Sequence, residues 1–280
     1  MQVISDIQQI RRLCQTWRDK GESIAFVPTM GCLHAGHLSL VKKAESLADH
    51  VVVSIFVNPL QFNDPDDLLK YPNTLDNDIN ALASLSVDAI FTPDRNSFYP
   101  EGEDKVELLD LGEITTVLEG EKRPGHFAGV ATVVKRLFKL VQPNFAIFGE
   151  KDFQQLMVVK QLVEQFSLNI EIIGMPTLRE EDGLAMSSRN LRLSSDERAK
   201  AGLIYENLVT VKAALKRGNM NFAGLEQSAS ENLANAGFVP DYVVIRNTSQ
   251  LSPPQNHSEA MVILIAAKLG EIRLIDNIRV

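Results

Sequence analysis

Cysteine is scarce in this chain: its 280 residues include only Cys14 and Cys32. Two thiols without a secretory leader point to a reducing compartment and free thiols rather than a disulfide framework. No apolar run approaches the roughly 20 residues that a membrane-spanning helix needs. The N-terminal stretch MQVISDIQQIRRL is amphipathic and lacks the apolar core and small-residue cleavage site of a signal peptide. Positive charge is also short. Lys and Arg number 28 against 36 Asp and Glu, a net charge of −8, which argues against a nucleic-acid partner. Low-complexity tracts and internal repeats are absent. The expectation is a cytoplasmic protein with neither a membrane nor a nucleic acid as partner.

At 45% hydrophobic residues the chain can bury a sizeable core, and its length allows two ordinary domains. SIAFVPT, HVVVSIFVN, VDAIFTPD, NFAIFGEKD and NIEIIGMPT are short apolar runs, the pattern of strands buried on both faces. Helical patterns separate several of them, and ISDIQQIRRLCQTW reads as an opening helix. The alternation predicts an α/β fold, a doubly wound, Rossmann-like parallel sheet over residues 1–176. From about residue 177 the texture changes. A polar stretch, one long helix (DERAKAGLIYENLVTVKAALKRG), a second helix and a closing hairpin near Gly270 predict a smaller α+β domain over 177–280. Its polar segment 180–190 is a candidate lid, expected to be mobile when empty.

Ligands of parallel sheets collect at the carboxyl ends of the strands, and three unusual polar clusters follow strand candidates. PTMGCLHAGHLSL (28–40) follows the first, NPLQF the second and GEKDFQQ the fourth. In the first, Gly31 and Gly36 permit a tight turn, and a helix beginning near Gly36 offers unpaired N–H groups to an anion. His34 and His37 lie close enough to face one bound group and to donate to phosphate oxygens. Ordinary turn histidines are the alternative, zinc lacks a third ligand of obvious spacing, and the GxxxxGK[ST] loop is absent. Lys151 can neutralise phosphate and Asp152 can accept from ribose, although EKD alone reads as a solvated turn. In MSSRN, Ser187, Ser188 and Arg189 form a compact donor group, and Arg189 offers a planar fork to phosphate.

Taken together, HAGH and MSSRN resemble the HIGH and KMSKS signatures of the nucleotidyltransferase superfamily that includes class I aminoacyl-tRNA synthetases. PTMGCLHAGHLSLV, VSIFVNPLQF, RPGHFAGVATVV, FGEKDFQQL and REEDGLAMSSRN run in order through most of residues 24–190 and resemble the pantothenate synthetase (pantoate–β-alanine ligase) family. The resemblance implies attack of pantoate on the α-phosphate of ATP, giving pantoyl adenylate and pyrophosphate. The β-alanine amine then attacks the acyl carbon, giving pantothenate and AMP. It implies that Met30, Gly31, Cys32, Leu33, His34, Ala35, Gly36 and His37 bind ATP. Gly149, Glu150, Lys151, Asp152, Leu178 (through its backbone), Met186, Ser187, Ser188 and Arg189 complete the nucleotide site. His37, His34, Lys151 and Arg189 are the expected catalytic residues, Gln61 and Gln155 the pantoate-binding ones, with Gln61 also near β-alanine.

The chemistry agrees with these assignments. A neutral amide orients the pantoate carboxylate without damping its nucleophilicity as an arginine would, and the cationic and hydroxyl donors meet the charge that builds on phosphate. ATP chemistry also calls for Mg2+. Its ligands are left open, because the family's YPRT and paired acidic residues are replaced by YPNTLDND, with Asn73 and Asn77 beside Asp76 and Asp78. Cys32 lacks a dedicated base, which argues against a catalytic thiol. His126 in RPGHF is either a structural residue or an aid to β-alanine deprotonation. A homodimer is expected from the resemblance alone.

Overall fold

The computed structural model describes residues 1–63, 68–69, 71–256 and 258–280. Its apolar runs form a parallel sheet. β1 (Gln2–Ile4), β2 (Ile24–Thr29), β3 (His50–Ile55), β4 (Ala89–Phe91), β5 (Phe145–Gly149) and β6 (Glu171–Met175) lie in the order β1-β4-β3-β2-β5-β6. All neighbours pair parallel. Consecutive residues such as Ala25, Phe26 and Val27, or Val52 and Val53, are fully buried. Helices therefore cover both faces, which is why these strands read as apolar runs rather than alternations. Leu40, Val41 and Ala44 of the helix Ala35–Glu45 pack with Val27, Val51 and Ile147 in one core cluster. The other long helices here are Ile7–Asp19, His126–Val141 and Phe153–Gln165.

From β2 the strand order runs one way through β3 and β4 and the other way through β5 and β6. The switch point lies between β2 and β5, and the turn leaving β2 emerges there. β1 departs from the sequence reading, which opened on a helix. It is a three-residue edge strand, too short for periodicity to show. The opening helix starts after it at Ile7, capped by the Asp6 carboxylate, which accepts from the Gln9 N–H at 2.6 Å.

The chain divides into two compact units, Met1–Gly149 with Gln154–Met175, and Glu150–Phe153 with Pro176–Val280. The second holds a three-stranded antiparallel sheet, β7 (Phe238–Asn247), β8 (Met261–Leu269) and β9 (Ile272–Arg279), with β8 and β9 joined by a turn at Gly270. The single long helix expected from the sequence is two, Ser195–Ala201 and Leu203–Lys216. The break falls at Gly202, where a Cβ would lie 2.9 Å from the Asp182 carbonyl oxygen. Ile204, Leu208 and Val211 pack with Ile245, Ile263 and Ile265 in this unit's own core. Glu150–Phe153 belong to it because β9 holds them. The Asn277 side-chain amide donates to the Glu150 and Lys151 carbonyls at 2.8 Å each, and Arg279 pairs with Glu150 at 2.8 Å. Among the described residues no helix is long and apolar enough to cross a membrane.

Candidate active site

The turn between β2 and the helix Ala35–Glu45 is shaped by residues on both sides of it. Gly31 takes φ +85°, and a Cβ there would sit 2.9 Å from an Asp78 carboxylate oxygen. Cys32 holds φ 52°, a left-handed conformation that costs a non-glycine residue on the order of 1–3 kcal/mol. The Asp78 side chain holds this turn in place. Only 2% exposed, it accepts from the Cys32 N–H at 3.0 Å, the Leu33 N–H at 2.7 Å and the Thr74 hydroxyl at 3.1 Å.

His34 is the N-cap of the helix, and its Nδ1 accepts from the Gly36 N–H at 3.1 Å. His37 returns the contact, its Nδ1 accepting from the His34 N–H at 3.4 Å. Both rings thus use Nδ1 as an acceptor, so the proton of each neutral imidazole sits on Nε2. The ring centroids are 4.2 Å apart, and both rings are half-buried. Two imidazoles stand together at a helix N-terminus, an arrangement suited to an anion. Gly36 lies inside the first helical turn and is not part of the tight turn the sequence suggested.

Gln61 ends the short turn Pro59–Gln61 and is nearly buried. A residue that the sequence reading passed over, Asn58, decides which end of its amide faces outward. Asn58 Oδ1 accepts from the Leu60 N–H at 3.3 Å and from the Tyr99 hydroxyl at 2.9 Å. Burial pushes the Tyr99 phenol above its ordinary range, so it keeps its proton and donates. Asn58 Nδ2 then donates to Gln61 Oε1 at 3.2 Å, which leaves the Gln61 Nε2, 2.8 Å from Met30 Sδ, as the donor end. Gln61 is thereby set as a hydrogen-bond donor, the role a carboxylate ligand requires.

The turn lies so close to the helix His126–Val141 that a Cβ on Gly129 would come within 2.1 Å of the Leu60 carbonyl oxygen. Gly129→Ala should therefore shift Gln61. The expected result is a loss of about 1–3 kcal/mol or more in denaturant unfolding together with a raised KM for the ligand of Gln61. An unchanged KM would mean that the turn does not depend on this contact.

His126 contacts the same turn. It is buried, with Nδ1 2.7 Å from the Gln61 carbonyl oxygen and Nε2 3.2 Å from Arg123 Nη1. The carbonyl requires a protonated Nδ1, leaving Nε2 to accept from Arg123. Both nitrogens are engaged in holding the loop. The adjacent glutamines also separate. Gln154 is buried, donating to the Ile114 and Val117 carbonyls at 2.8 Å each and accepting from the Glu119 N–H at 3.1 Å. Gln155 is half-buried on the next face of the helix.

In the second unit, Glu150–Asp152 form a single 3-10 turn following Gly149, the last residue of β5. Lys151 is mostly enclosed and lies 3.8 Å from the more exposed Asp152 carboxylate. The Leu178 carbonyl accepts from the Met186 N–H at 3.0 Å. Ser187 caps the 3-10 turn Ser188–Arg192, its Oγ accepting from the Arg189 N–H at 3.3 Å. Its hydroxyl proton is thus directed elsewhere. The loop read from the sequence as a mobile lid is tied at several points. Asp182 pairs with Arg198, Asn190 Nδ2 donates to the Ala185 carbonyl at 3.1 Å, and Arg179 pairs with Asp276 at 2.6 Å. Burial pushes the Asp276 carboxyl above the ordinary range, against the lowering pull of Arg179.

Neither cysteine offers a nucleophile with a base. Burial pushes the Cys14 thiol up to about 12, and Cys32 Sγ contacts the Pro72 carbonyl and the Thr74 hydroxyl. Among the described residues no group of three or more His, Cys, Asp and Glu side chains could hold a metal ion. Both Asp78 oxygens are occupied by N–H and hydroxyl donors, while Asp76 is exposed.

The chain as a whole is similar to known proteins. The family model described as pantoate-beta-alanine ligase matches residues 2–279. A pantothenate synthetase of Vibrio vulnificus is 49% identical over 277 residues, 99% of this chain and 92% of that protein. The crystal structure of pantothenate synthetase from Thermus thermophilus superposes with a TM-score of 0.91 at 41% identity, covering 99% of each chain. That of a pantoate-beta-alanine ligase from Francisella tularensis, complexed with beta-gamma ATP and beta-alanine, gives a TM-score of 0.82 at 40% identity, covering 100% of this chain and 97% of that one.

Proposed function

Because this chain belongs to the pantoate–β-alanine ligase family, we infer that it joins pantoate to β-alanine at the expense of ATP, through a pantoyl adenylate, and releases AMP and pyrophosphate. The ATP and β-alanine held by the Francisella tularensis relative support those two substrates. The observation in this chain that carries the reading is the pair of imidazoles at one helix N-terminus, each with Nδ1 tied to a backbone N–H.

The residues divide the work by chemistry. Met30 to His37 receive the triphosphate, with His34 and His37 donating through Nε2 as negative charge grows on phosphate and leaving pyrophosphate. His37 acts as a stabiliser first and a proton donor second, since phosphoryl-type transfer depends mainly on positioning and electrostatics. Lys151, Ser187, Ser188 and Arg189 add further donors. Gly149, Glu150, Asp152, Leu178 and Met186 line the nucleoside end, Asp152 accepting from ribose and the Leu178 N–H facing adenine. Gln61 and Gln155 hold pantoate, and the donor end of Gln61 orients the carboxylate while keeping it nucleophilic. Magnesium, when bound with ATP, offsets phosphate charge. Residues 177–280 act as the lid, with segment 180–190 gaining amide protection when ATP and pantoate bind. The protein works in the cytoplasm, as its two free thiols suggest, and as a homodimer, an assignment resting on the resemblance and tested by sedimentation.

The test is exchange of labelled pyrophosphate into ATP. Pantoate alone should support it, with β-alanine unnecessary. A requirement for β-alanine would overturn the two-step scheme, and a dinucleotide-like product would place the chain's chemistry elsewhere in the superfamily.

A further inference from the structure

β9 carries two adjacent polar residues that a strand core would ordinarily exclude. Asp276 is 3% exposed and Asn277 5%. Successive side chains of a strand point to opposite faces. On β9 one face carries Ile272, Leu274 and Asp276, the first two belonging to this unit's apolar core. The other carries Asn277 and Arg279, both of which reach the Glu150–Asp152 turn.

Each side chain reaches a different segment, and the two arms meet at the strand backbone, where the Asn277 N–H donates to Asp276 Oδ1 at 2.7 Å and Arg179 Nη2 donates to the Asn277 carbonyl at 3.2 Å. Asn277 Nδ2 donates both of its protons, to the Glu150 and Lys151 carbonyl oxygens at 2.8 Å each. These bonds hold the backbone from which the Lys151 side chain projects. On the opposite face Asp276 takes a two-point contact from the Arg179 guanidinium, at 2.6 and 3.0 Å. Arg179 in turn donates to the Gly183 carbonyl at 2.9 Å and stacks over Tyr205 at 3.9 Å. It therefore fixes the start of the loop that continues to Ser187 and Arg189. Burying a carboxylate and an amide in a strand is costly unless every bond is made. Here they are made toward two segments whose other ends carry the phosphate donors.

We propose that Asn277 and Arg179–Asp276 are positioning residues for adenylation. They use the two faces of one strand to set Lys151 and the Ser187–Arg189 donors in fixed relation to each other. The proposal rests on the assignment of those donors to ATP phosphate. It differs from a purely structural role in one respect: the benefit of each positioning residue must pass through the donor it sets.

Two double-mutant cycles test this, read as pantoate-dependent pyrophosphate exchange, with pantoate KM and thermal unfolding measured on every variant. Asn277→Ala should lower kcat for exchange roughly ten- to hundredfold, the scale of a misplaced reacting group, with pantoate KM unchanged. Added to Lys151→Ala it should lower exchange by no more than about twofold further. Arg179→Lys keeps the charge that Asp276 needs but loses the planar fork. It should behave in the same way with Arg189→Ala. If Asn277→Ala does not fold, Asn277→Ser, which keeps one donor, replaces it with a smaller loss and the same lack of additivity. Multiplying losses in either cycle, or unchanged exchange in the single positioning variants, would overturn the proposal. Unchanged exchange in Lys151→Ala and Arg189→Ala would instead overturn the assignment of the donors themselves.

Discussion

Replacing His37 by alanine is expected to lower pantoate-dependent pyrophosphate exchange by on the order of a hundredfold or more, the loss associated with removing one preorganised oxyanion-type donor. Stability should change little. The ring is half-buried, it lies against His34 rather than in an apolar cluster, and its bond to the His34 N–H is long at 3.4 Å. Losing such a cap contact costs roughly 0.5–1 kcal/mol. His34→Ala should cost more stability than His37→Ala, because His34 is the N-cap itself and accepts at the shorter 3.1 Å. Thermal unfolding and exchange measured on the same preparations separate the two effects. A large fall in melting temperature with near-normal turnover of the folded His37 variant would make the histidine a structural residue.

Asp78→Ala should damage both stability and activity. It leaves the Leu33 N–H without its acceptor inside the turn and the Cys32 N–H with only the Thr74 hydroxyl, 3.2 Å away, and an unmet buried group costs roughly 1–3 kcal/mol. It also removes what holds Cys32 at φ 52°. Denaturant unfolding should therefore register a loss of about 1–3 kcal/mol or more. Exchange should fall on the order of a hundredfold, because the turn that carries His34 is no longer fixed. Asp78→Asn should lie between the two, since an amide keeps one acceptor oxygen but turns a donor toward the second N–H. Full stability in Asp78→Ala, with only the magnesium requirement altered, would show that the carboxylate serves the metal and not the backbone.

Asp78 also shows where sequence reading reaches its limit. The motif YPNTLDND marks an acidic residue, and with no coordinates a metal is the natural partner for it. Its carboxylate accepts from backbone N–H groups 45 and 46 positions away in the chain and from the Thr74 hydroxyl, and backbone groups leave no trace in a sequence. Asn58 and Asn277 escaped notice for the same reason. Each acts by orienting a neighbour through hydrogen bonds, and neither residue type nor spacing betrays it. The NPLQF motif contained Asn58 beside the chosen Gln61, so a closer look at paired amides was the one available signal. Gln154 and Gln155 are indistinguishable as letters; only burial and hydrogen bonding separate them, assigning Gln154 to the fold.

What was legible followed from strong local physics. β2, β3, β4, β5 and β6 were visible because strands covered on both faces are uninterrupted apolar runs. The His34–His37 turn stood out because glycine and histidine between a strand and a helix serve little purpose in packing. β1 was not legible, as three residues at a sheet edge carry no period. The break at Gly202 was hidden because a single glycine is tolerated within a helical pattern, and the backbone of Asp182 behind it comes from an earlier loop of the chain.

The most direct test of the central claim follows one oxygen atom. Pantoate labelled with 18O in its carboxylate is to be converted with ATP and β-alanine, and the AMP and pantothenate examined by mass spectrometry. An acyl adenylate forms through a bond between a carboxylate oxygen and the α-phosphorus, and it is broken when the amine displaces AMP from the acyl carbon. One labelled oxygen should therefore appear in each AMP and one remain in the amide carbonyl of pantothenate. Unlabelled AMP, or label in inorganic phosphate with release of ADP, would contradict the adenylate mechanism.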